Sequence, residues 1–445
     1  MEIMSTHRIT RIGTFVGCLS LAIAPGLFAG DLVLQKVPPL TVEQTPAYPQ
    51  NLARYHVGAQ VEALPESNPV ASLQLSTKTE DDNIAEAALL CDDPTVGYAL
   101  SNGKTTLIVS LARIENVDNI GFLNRGAKGS VTVATSNTKL SADNVQWQKI
   151  AQENLTANVV KVKVGPSEAK YIRLTFNVSE PGRIAAFGVY ATPAISDFTM
   201  PRPSRFAGNA SDNFALISYN FTDVHLRARA LYVSSGQDVT AANNMIDDQP
   251  ATAFAFATND ASPAVIIDLG KATHLRRLSA IYSPRAGSVD FYVLQSLPGR
   301  ASETSNDLAA TPKSLRVSDL ALGDLKPVGS VVNDGTGRAS VDFPSTSGRY
   351  VMVKWNLAAE QDRPFSVAEI AAFGRGDKQP EGLTVATTSL AGAGEVASND
   401  GKDGKDLGEG KEAKEVAEGP AEGPPPTLPD PPPFVFVPQI IPTSP

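Results

Sequence analysis

Five short blocks occur twice in this chain, in the same order, and that recurrence limits the fold more than any other feature. The ten residues from Leu89 to Tyr98 line up without a gap on Met245 to Phe254, so that Cys91-Asp92-Asp93-Pro94 meets Asp247-Asp248-Gln249-Pro250. Val109-Ser110-Leu111 falls on Ile267-Asp268-Leu269, and Gly129-Ser130-Val131 on Gly287-Ser288-Val289. Lys170 to Phe176 is echoed by Arg349 to Trp355, and Ile184-Ala185-Ala186-Phe187-Gly188 by Ile370-Ala371-Ala372-Phe373-Gly374. A repeat this long is not a solenoid turn. It predicts two self-sufficient domains in tandem.

The strand pattern gives the fold class. In Lys170–Phe176 the residues Ile172, Leu174 and Phe176 alternate with smaller or polar ones; Val351, Val353 and Trp355 do the same in the second copy. Period-two placement of large apolar groups requires one buried sheet face. Ser130 to Thr135 and Val159 to Val164 alternate as well, Leu107 to Leu111 and Val117 to Leu123 read as further strands, and Tyr55 to Ala63 as the opening one. Short strands divided by Gly, Pro, Asn and Asp predict an all-β chain, a β-sandwich or jelly roll. No stretch has helical periodicity of any length.

The ends are different. Arg8 and Arg11 precede an apolar run from Phe15 to Phe28 that is broken by Pro25 and closes on Ala29-Gly30, the layout of a secretory signal peptide rather than a membrane span. Val16-Gly17-Cys18 also has the form of a lipid-attachment site, but almost no apolar core precedes that cysteine. With the signal removed, Cys91 is the one remaining cysteine, so the exported chain has no internal disulfide; Cys91 reads as a packed small side chain rather than a nucleophile. Residues 377–445 hold twelve Asp/Glu against five Lys, then Pro-rich runs and an apolar end, Phe434 to Ile441. Such a tail cannot bury enough surface to order itself; its apolar end is either a sticky terminus or a strand that docks on a protein partner. The net charge is −9, mostly in that tail, so the remainder is near neutral and lacks the basic stripe a nucleic-acid partner needs. The expected organisation is a signal over 1–29, a linker over 30–49, domains over 50–191 and 214–376 joined by a Pro-containing linker over 192–213, and a disordered tail over 377–445. Phe214 to Tyr219 reads as an extra strand before the second domain, and about Pro298 to Leu325 as a surface insertion.

Ser234-Ser235-Gly236, Ala241-Ala242-Asn243, Ile246-Asp247-Asp248, Pro250-Ala251-Thr252, Ile267-Asp268-Leu269-Gly270, Arg349-Tyr350-Val351 and Ala368-Glu369-Ile370 occur in an order that resembles the discoidin family. This family is also called the coagulation factor 5/8 type C domain and is related to family 32 carbohydrate-binding modules. The resemblance covers about 214–375 well and about 50–191 more weakly. It implies two tandem eight-stranded jelly-roll β-sandwiches of the galactose-binding-domain-like kind, with an adhesive or carbohydrate-binding role at loops on one end. Departures are visible: Tyr98 and Phe254 stand where the family usually has Trp, and Arg183 stands at Glu369.

The resemblance makes Asn124 to Gly129 and Tyr282 to Gly287 equivalent ligand-facing hairpins. A sugar site wants a flat aromatic to stack on the ring and Arg or Asn donors to fix hydroxyls. Tyr282 with Arg285 meets that demand; Asn124, Arg125 and Lys128 need an aromatic from elsewhere, which Tyr98 supplies, with Phe254 at the matching position. The resemblance also suggests a structural calcium ion at Asp92, Asp93, Asp247 and Asp248, whose hard oxygens suit it. Asp before Pro equally serves turn chemistry, so both readings stand. Catalysis finds no support: His56, His225 and His274 fall in or beside predicted strands without metal spacing, and no phosphate loop, dinucleotide fingerprint or serine elbow occurs. The leading expectation is a secreted or cell-envelope, non-enzymatic protein that binds carbohydrate or a glycoconjugate. The alternative is a structural or assembly component of an envelope or matrix, docked through its tail.

Overall fold

The computed structural model describes residues 31–65, 88–191, 216–298, 313–358 and 364–375. The expected signal peptide, the 192–213 linker, residues 299–312 of the insertion and the tail lie outside these residues. The strands in chain order are β1 (Leu32–Lys36), β2 (Gln60–Pro65), β3 (Gly97–Leu100), β4 (Gly103–Arg125), β5 (Lys128–Ser136), β6 (Gln148–Asn154), β7 (Val159–Glu180) and β8 (Gly182–Ala191), followed by β9 (Arg229–Val233), β10 (Phe254–Ala255), β11 (Ala264–Tyr282), β12 (Ala286–Leu294), β13 (Ser314–Val317), β14 (Gly329–Asp334), β15 (Arg338–Leu357) and β16 (Ser366–Arg375). Among the described residues all strand pairings are antiparallel. The chain is an all-β sandwich protein.

Strands read as separate in the sequence are continuous here. Leu107–Leu111 and Val117–Leu123 are the two arms of β4, and Val159–Val164 and Lys170–Phe176 the two arms of β7. The register of β4 against β7 shifts between Ser110 and Glu115, and β4 changes its other neighbour there, from β2 to β8. A sheet whose long strands bend in this way folds over itself and buries a core between its two layers. Ile172, Leu174 and Phe176 are all fully buried in that core, as are Val351, Val353 and Trp355 in the second. The alternation demanded this.

The pairing also checks the repeat residue by residue. Ser110 pairs with Tyr171 and Asp268 with Tyr350, as the sequence blocks require. The last block does not survive. Asn124 pairs with Ile184 and its equivalent Tyr282 pairs with Val367; Ile120 pairs with Val189 and its equivalent Leu278 with Ala372. Ile184 therefore corresponds to Val367, and Phe187 to Ile370. The shared Ile-Ala-Ala-Phe-Gly string is offset by three residues, an odd slip that would turn every side chain to the wrong face of the sheet. As a result Glu369 stands at Ala186 and not at Arg183.

The 30–49 segment is not merely a linker. It carries β1, which pairs with β9 and β13 of the second half, and it places Val37 and Tyr48 in the second core. The insertion ends likewise in β13 and a short helix, Asp319–Asp324, rather than running wholly over the surface. Both have the same physical cause. The outer face of the second sheet is apolar, with Tyr232, Ile266, Tyr292 and Met352, and Leu34, Leu315 and Val317 cover it. The first half has only a small outer cluster, in which Trp147 packs beside Ile108 and lies 5.0 Å from the Arg173 guanidinium. Two further strand expectations shift. Tyr55–Val57 is a 3-10 turn ahead of β2, and residues 216–219 form no strand.

Gly129 and Gly287 hold the equivalent hairpins closed. Their φ angles are +136° and +143°, and a Cβ would sit 2.0 Å from the Asn177 carbonyl oxygen and 2.1 Å from that of Asn356. Gly287→Ala is expected to lose about 1–3 kcal/mol from backbone strain alone, before the clash is counted. A urea midpoint in Gly287→Ala equal to wild type would show that β12 and β15 do not approach so closely.

Candidate functional site

The two halves meet across a buried polar junction that grows from a second repeat. Asn51-Leu52-Ala53-Arg54-Tyr55-His56-Val57-Gly58-Ala59 matches Asn220-Phe221-Thr222-Asp223-Val224-His225-Leu226-Arg227-Ala228 in its Asn, His and Ala positions. The Asn51 side-chain oxygen accepts from the amides of Ala53 and Val189, each at 3.0 Å; that of Asn220 accepts from Thr222 at 3.0 Å and Ala372 at 2.9 Å. Each asparagine thus ties its segment to the last strand of its own half. Gly58 and Arg227 end the two 3-10 turns in the same left-handed conformation.

This geometry brings the paired aspartates together at the junction, not at a loop tip. Arg54 is 1% exposed and donates through Nε to Asp248 Oδ2 at 2.7 Å, through Nη2 to Asp248 Oδ1, and through Nη1 to the Cys91 carbonyl at 2.6 Å. Asp92 takes the amide of Asn220 at 2.8 Å and lies 3.1 Å from His56 Nδ1. Asp93 receives Arg277 Nε at 2.6 Å. The Tyr190 hydroxyl donates to the Asp248 carbonyl at 2.8 Å. On the second side His225 pairs with Asp223 at 2.9 Å and reaches the Tyr48 carbonyl at 3.0 Å. His56 and His225 therefore occupy 3-10 turns and not the strands expected for them. Such pairs lose hydration on burial and recover it only through good geometry, so they specify how the halves dock more than they add stability.

The environment moves several of these groups. Burial alone would lower the pKa of His56 and of His225; the charges of Asp92 and Asp223 and their hydrogen bonds more than offset that, and both imidazoles are raised. Burial, with a small contribution from Asp248, holds Asp247 well above the usual carboxylate range although Thr252 and the Gln249 amide donate to it. Burial also pushes the Cys91 thiol up to about 12, so it is no thiolate and packs as a small side chain. The four aspartates fit calcium poorly. Asp248 is engaged by Arg54, Asp92 by His56, Asp93 by Arg277 and Asp247 by Thr252 and Gln249; among the described residues no three acids, histidines or cysteines gather as a metal-ligand set.

The predicted sugar residues do not converge. Phe254 is 1% exposed and Tyr282 4%, both inside an aromatic cluster with Phe256, Trp355 and Phe365, so neither ring offers a face for stacking. They are core residues because the hairpin that carries Tyr282 folds its ring inward beneath Phe365. Arg285 is 7% exposed with its guanidinium 5.9 Å from the Phe365 ring, and Asn124 closes its own hairpin by bonds to Ala127. Tyr98 is half-buried against the first core, and Lys128 is exposed and paired with Glu180 at 2.8 Å. Only Arg125 reaches an open site.

That site is a cleft of about 500 Å³ between the halves. The first half supplies Thr95, Arg125 and Arg183, and the second supplies Arg277, Thr336 and Arg338. Among the described residues that line it there is no acid, histidine, thiol or aromatic ring. Arg125 is fixed by bonds from its guanidinium to the Pro94 and Thr95 carbonyls at 2.6 and 2.8 Å. Of the arginines here the sequence pointed only to Arg125. The other three lie on different strands, and nothing in their local spacing joins them.

No family model matches the chain, and no curated protein matches it. Among solved structures it is similar to a fucosidase of Ruminococcus gnavus complexed with fucose, at 16% identity over 37% of this chain and with a TM-score of 0.28; the match spans 28% of that chain. It is similar to the module CpGH89CBM32-6 of Clostridium perfringens at 16% identity, over 32% of this chain and 99% of that one, with a TM-score of 0.24. A serum fucolectin of striped bass is 13% identical over 73% of this chain and 98% of its own, with a TM-score of 0.26. Among the described residues no helix is long and apolar enough to cross a membrane.

Proposed function

We propose that this chain is a secreted, non-enzymatic binding protein built from two divergent discoidin-like sandwiches, and that it recognises carbohydrate or a glycoconjugate. The observation that carries the reading is the chemistry of the cleft. It offers guanidinium and hydroxyl donors in a concave site of ligand size, yet no lining side chain can exchange a proton near neutral pH. Such a site holds a polar ligand and does not transform it. Its place at the junction, and not at a hairpin tip, moves the proposed contact away from Tyr282 and Arg285.

The test is binding of the full chain to a panel of neutral and acidic polysaccharides, read by calorimetry, with chelator present and absent, together with reducing-end release. Saturable binding without release of reducing ends, unchanged by chelator, is the expected outcome. Release of sugar would make the chain an enzyme, and silence across the whole panel would end the carbohydrate reading.

A further inference from the structure

We propose that the cleft between the two halves is a binding site for a carboxylate or sulfate group carried on an acidic polysaccharide, held by Arg125, Arg183 and Arg338. The inference rests on the carbohydrate reading and gives that ligand a charge.

Four guanidiniums line one cleft, and their partners differ. Arg277 is neutralised by Asp93 at 2.6 Å and Asp342 at 2.8 Å and serves as scaffold. Among the described residues Arg125 bonds only to carbonyl oxygens, which fix its direction without cancelling its charge. Arg183 and Arg338 are exposed, and among the described residues neither has a carboxylate partner. Three uncompensated cations from both halves therefore face one space. Like charges held together destabilise one another. Burial first, and then Arg338 and Arg183, push the Arg125 pKa down to about 10, while Asp93 opposes. An oxyanion entering the cleft relieves that repulsion and is bound by planar forks that match carboxylate and sulfate oxygens two at a time.

The rest of the lining selects the carrier. Ser340 supplies a hydroxyl that pairs with a sugar hydroxyl, and the Thr95 hydroxyl, whose proton goes to Asp93 at 2.6 Å, keeps a lone pair to accept one. No aromatic ring is present to stack on a nucleobase, and the basic footprint is one cleft rather than a stripe along the surface. The cleft lacks both features that a nucleic acid needs, whereas a uronate or sulfated sugar supplies both the charge and the hydroxyls that its lining can meet. Fixing Arg125 to the carbonyls of Pro94 and Thr95 ties the cleft to the Asp93–Arg277 pair, so the site exists only when the halves are docked.

The experiment is calorimetric titration of the full chain at low salt with oligogalacturonate and its methyl ester, dextran sulfate and dextran, and duplex DNA. The same titrations are run on Arg183→Ala, Arg338→Ala and the double variant. Both residues are exposed, and an unchanged thermal midpoint confirms folding. Binding to oligogalacturonate, dextran sulfate or both, with the neutral counterpart silent, is expected; the arm that binds identifies the oxyanion. Each single variant is expected to lose roughly tenfold in affinity and the double variant more, with 0.5 M salt weakening wild type most. Equal affinity in the double variant overturns the proposal, and so does DNA binding of equal strength. Neutral dextran binding that ignores both arginines overturns the acidic site yet leaves the carbohydrate reading intact, whereas silence with every glycan ends both.

Discussion

Arg54→Ala is expected to destabilise the protein by about 3–5 kcal/mol, the largest loss from any single side chain at the junction. Arg54 is buried from solvent and makes two bonds to Asp248, across the boundary between the halves, and a third to the Cys91 carbonyl. Burial alone would lower its pKa; the charge of Asp248, its hydrogen bonds and the charge of Asp92 keep the guanidinium ionised. Truncation leaves the Asp248 carboxylate without its cation in a buried site, where burial and the charges of Asp92 and Asp223 already raise its pKa. The urea midpoint should fall, and most of the loss should return in Arg54→Ala/Asp248→Asn, which removes both charges. Asn is chosen because Asp248 has φ +57°, a conformation that Asn tolerates and Ala does not. A loss under 1 kcal/mol, or no recovery in the double variant, would show that the pair does not join the halves.

Glu369→Gln is expected to act in the opposite direction, with the gain growing as pH rises. Glu369 is 3% exposed, and neither carboxylate oxygen has a hydrogen-bond partner among the described residues. Burial first, then the charges of Asp247, Asp248 and Asp223, hold its carboxyl well above the usual carboxylate range, with Arg54 opposing. Its folded pKa exceeds its unfolded one, so the folded state keeps a proton that the unfolded chain releases. The stabilisation is complete below about pH 4, the unfolded value, and is lost as pH rises toward the folded value. Across that window wild type loses about 1.4 kcal/mol per pH unit for this group, and Glu369→Gln does not. His56 and His225, also raised, lose their contribution in the same direction, but from about pH 6.5 upward; Asp223, held low by His225 against burial, gives the reverse slope in acid. Urea midpoints from pH 5 to 8 test this. Parallel curves for wild type and Glu369→Gln would mean that Glu369 is ionised in the folded protein and compensated there.

The junction explains why part of the site was legible and part was not. Arg125 is visible because its hairpin repeats in Tyr282 to Gly287, but the aromatic partners expected beside it pack against the cores. Asp92, Asp93, Asp247 and Asp248 stood out as pairs before a proline, and their turn chemistry is present in the bonds of Thr95 to Asp93 and Gln249 to Asp247. What the pattern could not show is that three of them are answered by Arg54, His56 and Arg277. The Asn51–Ala59 and Asn220–Ala228 match was open to inspection, since Asn, His and Ala recur at the same spacing, yet it lies ahead of the blocks that align without gaps.

The sequence by itself determined the sheets. Alternation at Ile172, Leu174 and Phe176, and at Val351, Val353 and Trp355, depends only on which residues must leave water, and a period of two admits one local answer. It also showed recurring blocks whose pairing register agrees, Ser110 with Tyr171 and Asp268 with Tyr350, except at Ile184–Gly188, where a shared string outweighed a register that hydrogen bonding defines. Tertiary structure alone decided that β1 joins the second sheet, that Tyr282 is core, and that Arg125, Arg183, Arg277 and Arg338 share one cleft. Those outcomes depend on how the two sheets dock, through Arg54 and Asp248, which stand 194 positions apart. No local period encodes a meeting between surfaces so distant along the chain.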